Sequence, residues 1–90
     1  MRLTWHTKAQ QDRLRIMNFV AEGNPEAAIV LDTEFRDRAR RAALRPAIYK
    51  PGRYQGTREI VVRPNYVMVY RVTHDSVEIL RILHARQRWP

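Results

Sequence analysis

The apolar residues of this 90-residue chain change their period once, and that single change limits what it can fold into. Leu14, Met17 and then Val20 or Ala21 recur at helical spacing, as do Ala28, Leu31, Phe35, Ala39 and Ala42. Apolar stripes at steps of three and four make amphipathic helices. From Thr57 onward the texture is β-branched and aromatic instead, which is the mark of strands. Pro46, Pro51 and Gly52 break the helical pattern, so residues 45–56 are expected to form a loop rich in Lys, Arg and Tyr.

Local signals sharpen the boundaries. Arg2-Leu3-Thr4-Trp5 reads as a short first strand. Thr7 is placed to cap a helix over residues 8–22, with Gln10 completing a capping box and Gly23 closing it. Asn24 then caps a second helix whose first position is Pro25, running to about residue 44. Two helices joined this tightly form an antiparallel hairpin. Glu59 to Arg63, Tyr66 to Thr73 and Ser76 to His84 read as three strands, and their short connections predict an antiparallel meander. Strict alternation along the last strand groups Val77, Ile79, Arg81 and Leu83 on one face, and Glu78, Leu80, Ile82 and His84 on the other. Both faces are mostly apolar, so this strand is expected to be central. The predicted fold is α+β, a single domain over residues 1–90, with a helical hairpin packed on an antiparallel sheet in the order β-α-α-β-β-β.

Composition removes several classes of function. There is no cysteine, hence no disulfide and no thiolate metal site. His6, His74 and His84 lack the spacing of a helical metal pair, so neither metal nor cofactor is expected. No apolar run approaches the roughly 20 residues of a membrane span. Charged residues interrupt the N-terminal stretch from Arg2 through Arg15, unlike a signal peptide. A soluble cytoplasmic protein without a membrane partner is the expectation. The chain also has no phosphate-binding glycine loop, nucleophile elbow or paired-carboxylate metal site.

Charge points toward polyanions. Seventeen Lys and Arg, fifteen of them arginine, face nine Asp and Glu, for a net +8. Residues 1–35 carry a net −1, whereas residues 36–90 carry +9. Such a field draws in nucleic acid or an acidic protein, and the planar arginine fork binds phosphate or carboxylate oxygens in pairs.

Within that basic half, Arg81 falls in the middle of the last strand, where alternation calls for an apolar side chain. A guanidinium there either lines a site or pairs with a carboxylate, Glu59 or Glu78, because leaving it unpaired is costly. His84 ends the same strand near Arg86 and Arg88, and a histidine beside arginines can move a proton during RNA cleavage. Trp89 either packs on the sheet or stacks on a base. The segment from Tyr49 through Glu59, with Lys50, Arg53, Tyr54 and Arg58, interleaves cations with rings in a way that suits single-stranded nucleic acid. Glu59 reads as an ion-pair partner for Arg58 or Arg81.

The order of these features resembles the RelE/ParE superfamily of bacterial type II toxin–antitoxin systems, including its RelE/StbE-like members. The resemblance rests on Trp5 before a polar helix, Asn24-Pro25 opening the second helix, and Pro51-Gly52 followed by Gly56-Thr57-Arg58-Glu59. It continues through Tyr66-Val67-Met68-Val69-Tyr70-Arg71 and is strongest in the closing stretch from Val77 to Pro90. The resemblance implies a toxin neutralised by a cognate acidic antitoxin, in a hetero-oligomeric complex that binds operator DNA through the antitoxin. Of the two activities it implies, the expected one is RelE-like mRNA cleavage, with ParE-like gyrase inhibition as the alternative. RelE-like members are metal-independent endoribonucleases that cut mRNA on the ribosome. By that resemblance Arg81 and Arg58 would contact the scissile phosphate, His84 would be acid or base, and Lys50, Arg53, Arg86 and Arg88 would approach RNA. ParE-like members instead inhibit DNA gyrase by binding, without an active site. The loop holds fewer lysines than RelE-like members show, and no terminal Tyr follows His84.

Overall fold

The computed structural model describes residues 1–89; Pro90, the last residue of the closing stretch, lies outside the described residues. Seven elements follow in order: β1 (Arg2–Trp5), α1 (Thr7–Gly23), α2 (Pro25–Leu44), β2 (Lys50–Pro51), β3 (Arg58–Val62), β4 (Tyr66–Val72) and β5 (Ser76–His84). The strands make one sheet in the order β1-β5-β4-β3-β2.

The helical hairpin forms where expected, and Asn24 is the reason. Its N–H donates to the Val20 carbonyl (2.9 Å) and so finishes α1, while its Oδ1 accepts from the Ala27 N–H (3.1 Å) and so starts α2. Pro25 opens α2, where a missing N–H costs nothing. The N-terminus of α1 differs from the capping-box expectation. His6 occupies the cap position without a side-chain bond, Thr7 lies within the first turn, and the Gln10 amide donates to the Trp5 carbonyl (3.3 Å).

β3, β4 and β5 form the predicted antiparallel meander. β1 joins β5 in parallel, pairing Leu3 with Val77 and Trp5 with Ile79, so the full sheet is mixed and β5 is paired on both sides. Inside the expected loop, Lys50 and Pro51 add a two-residue edge strand against Glu59 and Arg58. Proline is tolerated there because an edge strand has a side that needs no donor. The Tyr70 hydroxyl, donating to the Pro46 carbonyl (2.7 Å), pins the chain just before that strand.

One irregularity in β5 overturns the expected division of its faces. The register shifts between Val69, opposite Arg81, and Tyr70, opposite Ile79, leaving Leu80 as an extra residue. A bulge of this kind exchanges the faces of everything beyond it. Val77 and Ile79 therefore share the helix-side core with Ile82, around Leu31, Phe35, Ile60 and Met68. Leu80 and Leu83 instead join Val67 and Val69 on the opposite face, covered by Ala85 and Trp89. Burial on both faces explains why β5 reads as apolar throughout. For Trp89 the packing alternative is the one observed.

Candidate functional site

Arg81 stands beside the bulge, and its partner is neither expected glutamate. Its Nε and Nη2 donate to Asp12 of α1 at 2.8 and 3.1 Å, across 69 residues of sequence. Asp12 also accepts the Ile82 N–H (2.9 Å) and the Arg15 guanidinium, and is only 2% exposed. The Ile82 N–H needs such an acceptor because β1 pairs with β5 only as far as Ile79. Burial by itself would push the Asp12 carboxyl up, but the bonds from Arg81, Ile82 and Arg15 outweigh it and hold the group below its ordinary range. Asp12 was missed in the sequence, although a signal existed: Ala9, Asp12, Ile16 and Val20 follow at steps of three and four, placing a carboxylate in the core-facing stripe.

The two glutamates are occupied elsewhere. Glu59, 6% exposed, accepts the Arg53 backbone N–H (2.8 Å) and its Nε (2.9 Å). Burial raises its carboxyl pKa, but the Arg53 bonds prevail and keep it low, which suits a fixed ion pair and not a proton acceptor near neutrality. Glu78 is shared by Arg71 (2.6 Å) and His6 (3.3 Å). Arg58, expected beside Glu59, instead donates to the Tyr49 carbonyl (2.7 Å) and holds the chain entering β2.

His84 is exposed. Its Nδ1 accepts the Arg86 N–H (3.2 Å) and its ring meets the edge of Tyr66, centroids 6.2 Å apart. With Phe19, which is 70% exposed, it rims a groove of about 390 Å³ floored by Ile16, Tyr66 and Ile82. Beyond it the tail turns back, Ala85 N–H donating to the Asn65 carbonyl (2.7 Å).

Loop and tail meet. Arg53 Nη1 donates to the Gln87 carbonyl (3.2 Å), and Tyr54 and Trp89 stand edge to face with centroids 5.3 Å apart. This brings Arg53 of the loop together with the chain carrying Arg86 and Arg88, all exposed, beneath the half-exposed Tyr54 ring. Lys50 lies exposed on β2, opposite Glu59. Arg81 and His84 are tied to different neighbours, Asp12 and Tyr66.

The loop's shape depends on one close approach. Gly52 donates its N–H to the Thr57 carbonyl (2.7 Å), and a Cβ on it would run into Thr57 Oγ1 and come within 3.2 Å of the Thr57 carbonyl carbon. Gly52→Ala is expected to destabilise the protein by about 1–3 kcal/mol through this overpacking and to loosen Arg53 from Glu59. Chemical denaturation checks the first effect and amide exchange at Arg53 the second; unchanged stability would mean that the loop relaxes freely.

Among the described residues there is no cluster of three or more metal-ligating side chains. No helix is long and apolar enough to cross a membrane.

A helical hairpin on one face of a five-stranded mixed sheet, with a cationic loop and tail on the other, defines a toxin fold of the RelE/ParE superfamily. The family model described as the ParE toxin of type II toxin–antitoxin systems matches residues 3–89. The chain is 33% identical over 90 residues to Y4kP, a candidate toxin of Sinorhizobium fredii, covering 99% of this chain and 93% of that protein. A chain from the chromosomal ParDE toxin–antitoxin system of P. aeruginosa superposes with a TM-score of 0.79 at 24% identity, over 93% of this chain and 95% of the other. A conserved hypothetical protein of Helicobacter pylori has the fold more loosely, with a TM-score of 0.56 at 18% identity over 97% of both chains. The protein belongs to the ParE family, the toxins of type II toxin–antitoxin systems. That membership implies an antitoxin partner.

Proposed function

We propose that this toxin acts by binding DNA gyrase, in the ParE-like manner, and that it carries no catalytic centre for cutting RNA. The observation that carries this reading is the position of Arg81. An mRNA-cutting site needs a cation free to meet the charge that develops on the phosphate. Here the Arg81 fork is spent on Asp12, inside the structure that joins α1 to β5. Arg58 is likewise tied to the Tyr49 carbonyl. The contact with gyrase is assigned to the joined loop and tail, where Arg86 and Arg88 stand exposed on a tail that the Arg53–Gln87 bond and the Tyr54–Trp89 contact hold against the loop. Exposed arginines near the half-exposed Tyr54 ring have the composition of an anchoring patch, in which arginine and aromatic side chains carry most of the binding energy.

The purified chain is expected to inhibit gyrase supercoiling of relaxed plasmid, and Arg86→Ala combined with Arg88→Ala to weaken inhibition by about tenfold. The RNA-cutting reading is favoured by one feature, the exposed His84 on a basic strand end. Undiminished supercoiling, together with codon-phased mRNA cuts on translating ribosomes, would sink the gyrase reading in its favour.

A further inference from the structure

Helix α1 turns a partly apolar stripe to solvent that neither the fold nor the loop-and-tail contact uses. Gln11, Leu14, Arg15, Asn18, Phe19 and Glu22 stand at i, i+3, i+4, i+7, i+8 and i+11, while Ala9 and Asp12 face the core. The six line a shallow groove of about 430 Å³. Leu14 is 62% exposed, and Phe19 is the most exposed apolar side chain of the helix. Neither belongs to a buried cluster; α1 packs on the sheet through Ala9, Ile16, Met17 and Val20 instead. Phe19 is thus a wall of the groove and, at the same time, a ring with nothing over it. Glu22 is exposed and joins no ion pair among the described residues. Arg15 gives one Nη2 bond to Asp12 and keeps the rest of its fork in solvent.

We propose that this stripe is the interface of a toxin homodimer, in which α1 packs antiparallel on α1 of a second copy across a two-fold axis. In such an interface one patch serves both copies, so that residue i meets j and j meets i. An axis passing between Asn18 and Phe19 satisfies this condition. It sets Arg15 of each copy against Glu22 of the other, so the two unsatisfied charges answer one another twice. It also lays Leu14 over Gly23, which brings no side chain and has nothing within 4 Å of where its Cβ would stand. Phe19 of each copy falls beside Asn18 of the other, in the groove between Leu14 and Glu22. Charge singles out this face. Residues 1–35 carry a net −1 and residues 36–90 carry +9, so copies meeting through the basic half would bring arginine against arginine. Nucleic acid wants a run of cations beside its stacking rings, whereas here one cation is balanced by one carboxylate. The inference is independent of the gyrase reading.

Sedimentation equilibrium of the full chain, free of antitoxin, tests this. The wild type is expected to pass from 10.7 kDa to twice that mass, with a dissociation constant on the order of 10 μM, as suits a patch at the small end of specific interfaces. Phe19→Asp should raise that constant by at least about a hundredfold, because each dimer loses the ring twice. Glu22→Arg should raise it about tenfold at low salt, with the gap narrowing at high salt. Leu44→Asp, on the last turn of α2 and more exposed still, should leave it unchanged. All three positions are exposed, so circular dichroism should match wild type. The chain has no cysteine, which allows a second measurement. Asn18→Cys, next to the axis, should form a disulfide-linked dimer under air with copper phenanthroline, whereas Leu44→Cys should not. A wild type that stays monomeric well above the expected constant would overturn the proposal. So would a dimer that survives Phe19→Asp or is cross-linked through Leu44→Cys and not Asn18→Cys, since the contact would then lie elsewhere. A monomeric toxin in which Phe19→Asp weakens antitoxin binding would assign the stripe to the antitoxin and overturn it as well.

Discussion

Asp12→Ala is expected to destabilise the protein by about 3–5 kcal/mol, the range for breaking a buried ion pair from one side. The change strands the Arg81 guanidinium and leaves the Ile82 N–H without its acceptor at the one stretch of β5 that β1 does not cover. Chemical denaturation measures it, and a loss below about 1 kcal/mol would mean that the pair behaves like an exposed one. Joint replacement, Asp12→Leu with Arg81→Met, should cost less than Asp12→Ala alone, because it leaves no uncompensated charge. The same pair fixes a pH dependence. The Asp12 carboxyl lies lower in the folded protein than in the unfolded chain. Its contribution is therefore fully present above the unfolded value of about 3.9 and disappears as pH falls through the lower folded value. The acid limb of stability should flatten in Asp12→Asn; an identical limb would assign it to other carboxylates.

Phe35→Ala should cost about as much, roughly 3–5 kcal/mol, by emptying a fully buried ring site in the middle of α2. In a domain of this size that lowers the thermal midpoint by more than about 10 °C. The loss also reaches the surface. Phe35 meets the edge of Tyr66 at 5.8 Å, and Tyr66 meets His84 at 6.2 Å, so three rings lead from the core to the exposed strand end. The ring-current shift on the His84 imidazole should diminish in the variant, read by nuclear magnetic resonance at a temperature where both proteins are folded. A large stability loss with an unmoved His84 signal would show that Tyr66 holds its place by other contacts.

Legibility in the sequence followed the range of the interactions involved. Asn24-Pro25 carries its own signal, because cap and first helical position are adjacent, and the hairpin forms as read. The meander is likewise local, each turn joining neighbouring strands. The parallel pairing of β1 with β5 has no local mark, since it joins residues from the two ends of the sequence. The bulge has none either. Leu80 is an ordinary strand residue, with no glycine to announce it, yet it transfers Ile82 to the helix side and Leu83 to the other. At the candidate site, the sequence located Arg81 as anomalous and left it two roles, lining a site or pairing with a carboxylate, of which the pair is the one observed. The choice of Asp12 over Glu59 and Glu78 depends on how α1 crosses β5, which no spacing encodes. Loop and tail were read as separate basic segments; the Arg53–Gln87 and Tyr54–Trp89 contacts make them one surface.

The placement of β5 between β1 and β4 bears on how a poisonous chain is made. Leu3 must wait for Val77, and Tyr66 for His84, so the segment synthesised after all its partners is the one that unites them. Closing a loop of roughly seventy residues is also the least favourable pairing in entropy. A ribosome that halts before Ser76 releases a helical hairpin and a β-hairpin with no strand to join β1 to β4. Interrupted synthesis therefore yields fragments that lack the Arg81 clasp and the tail, and the folded toxin exists only once its central strand has been added.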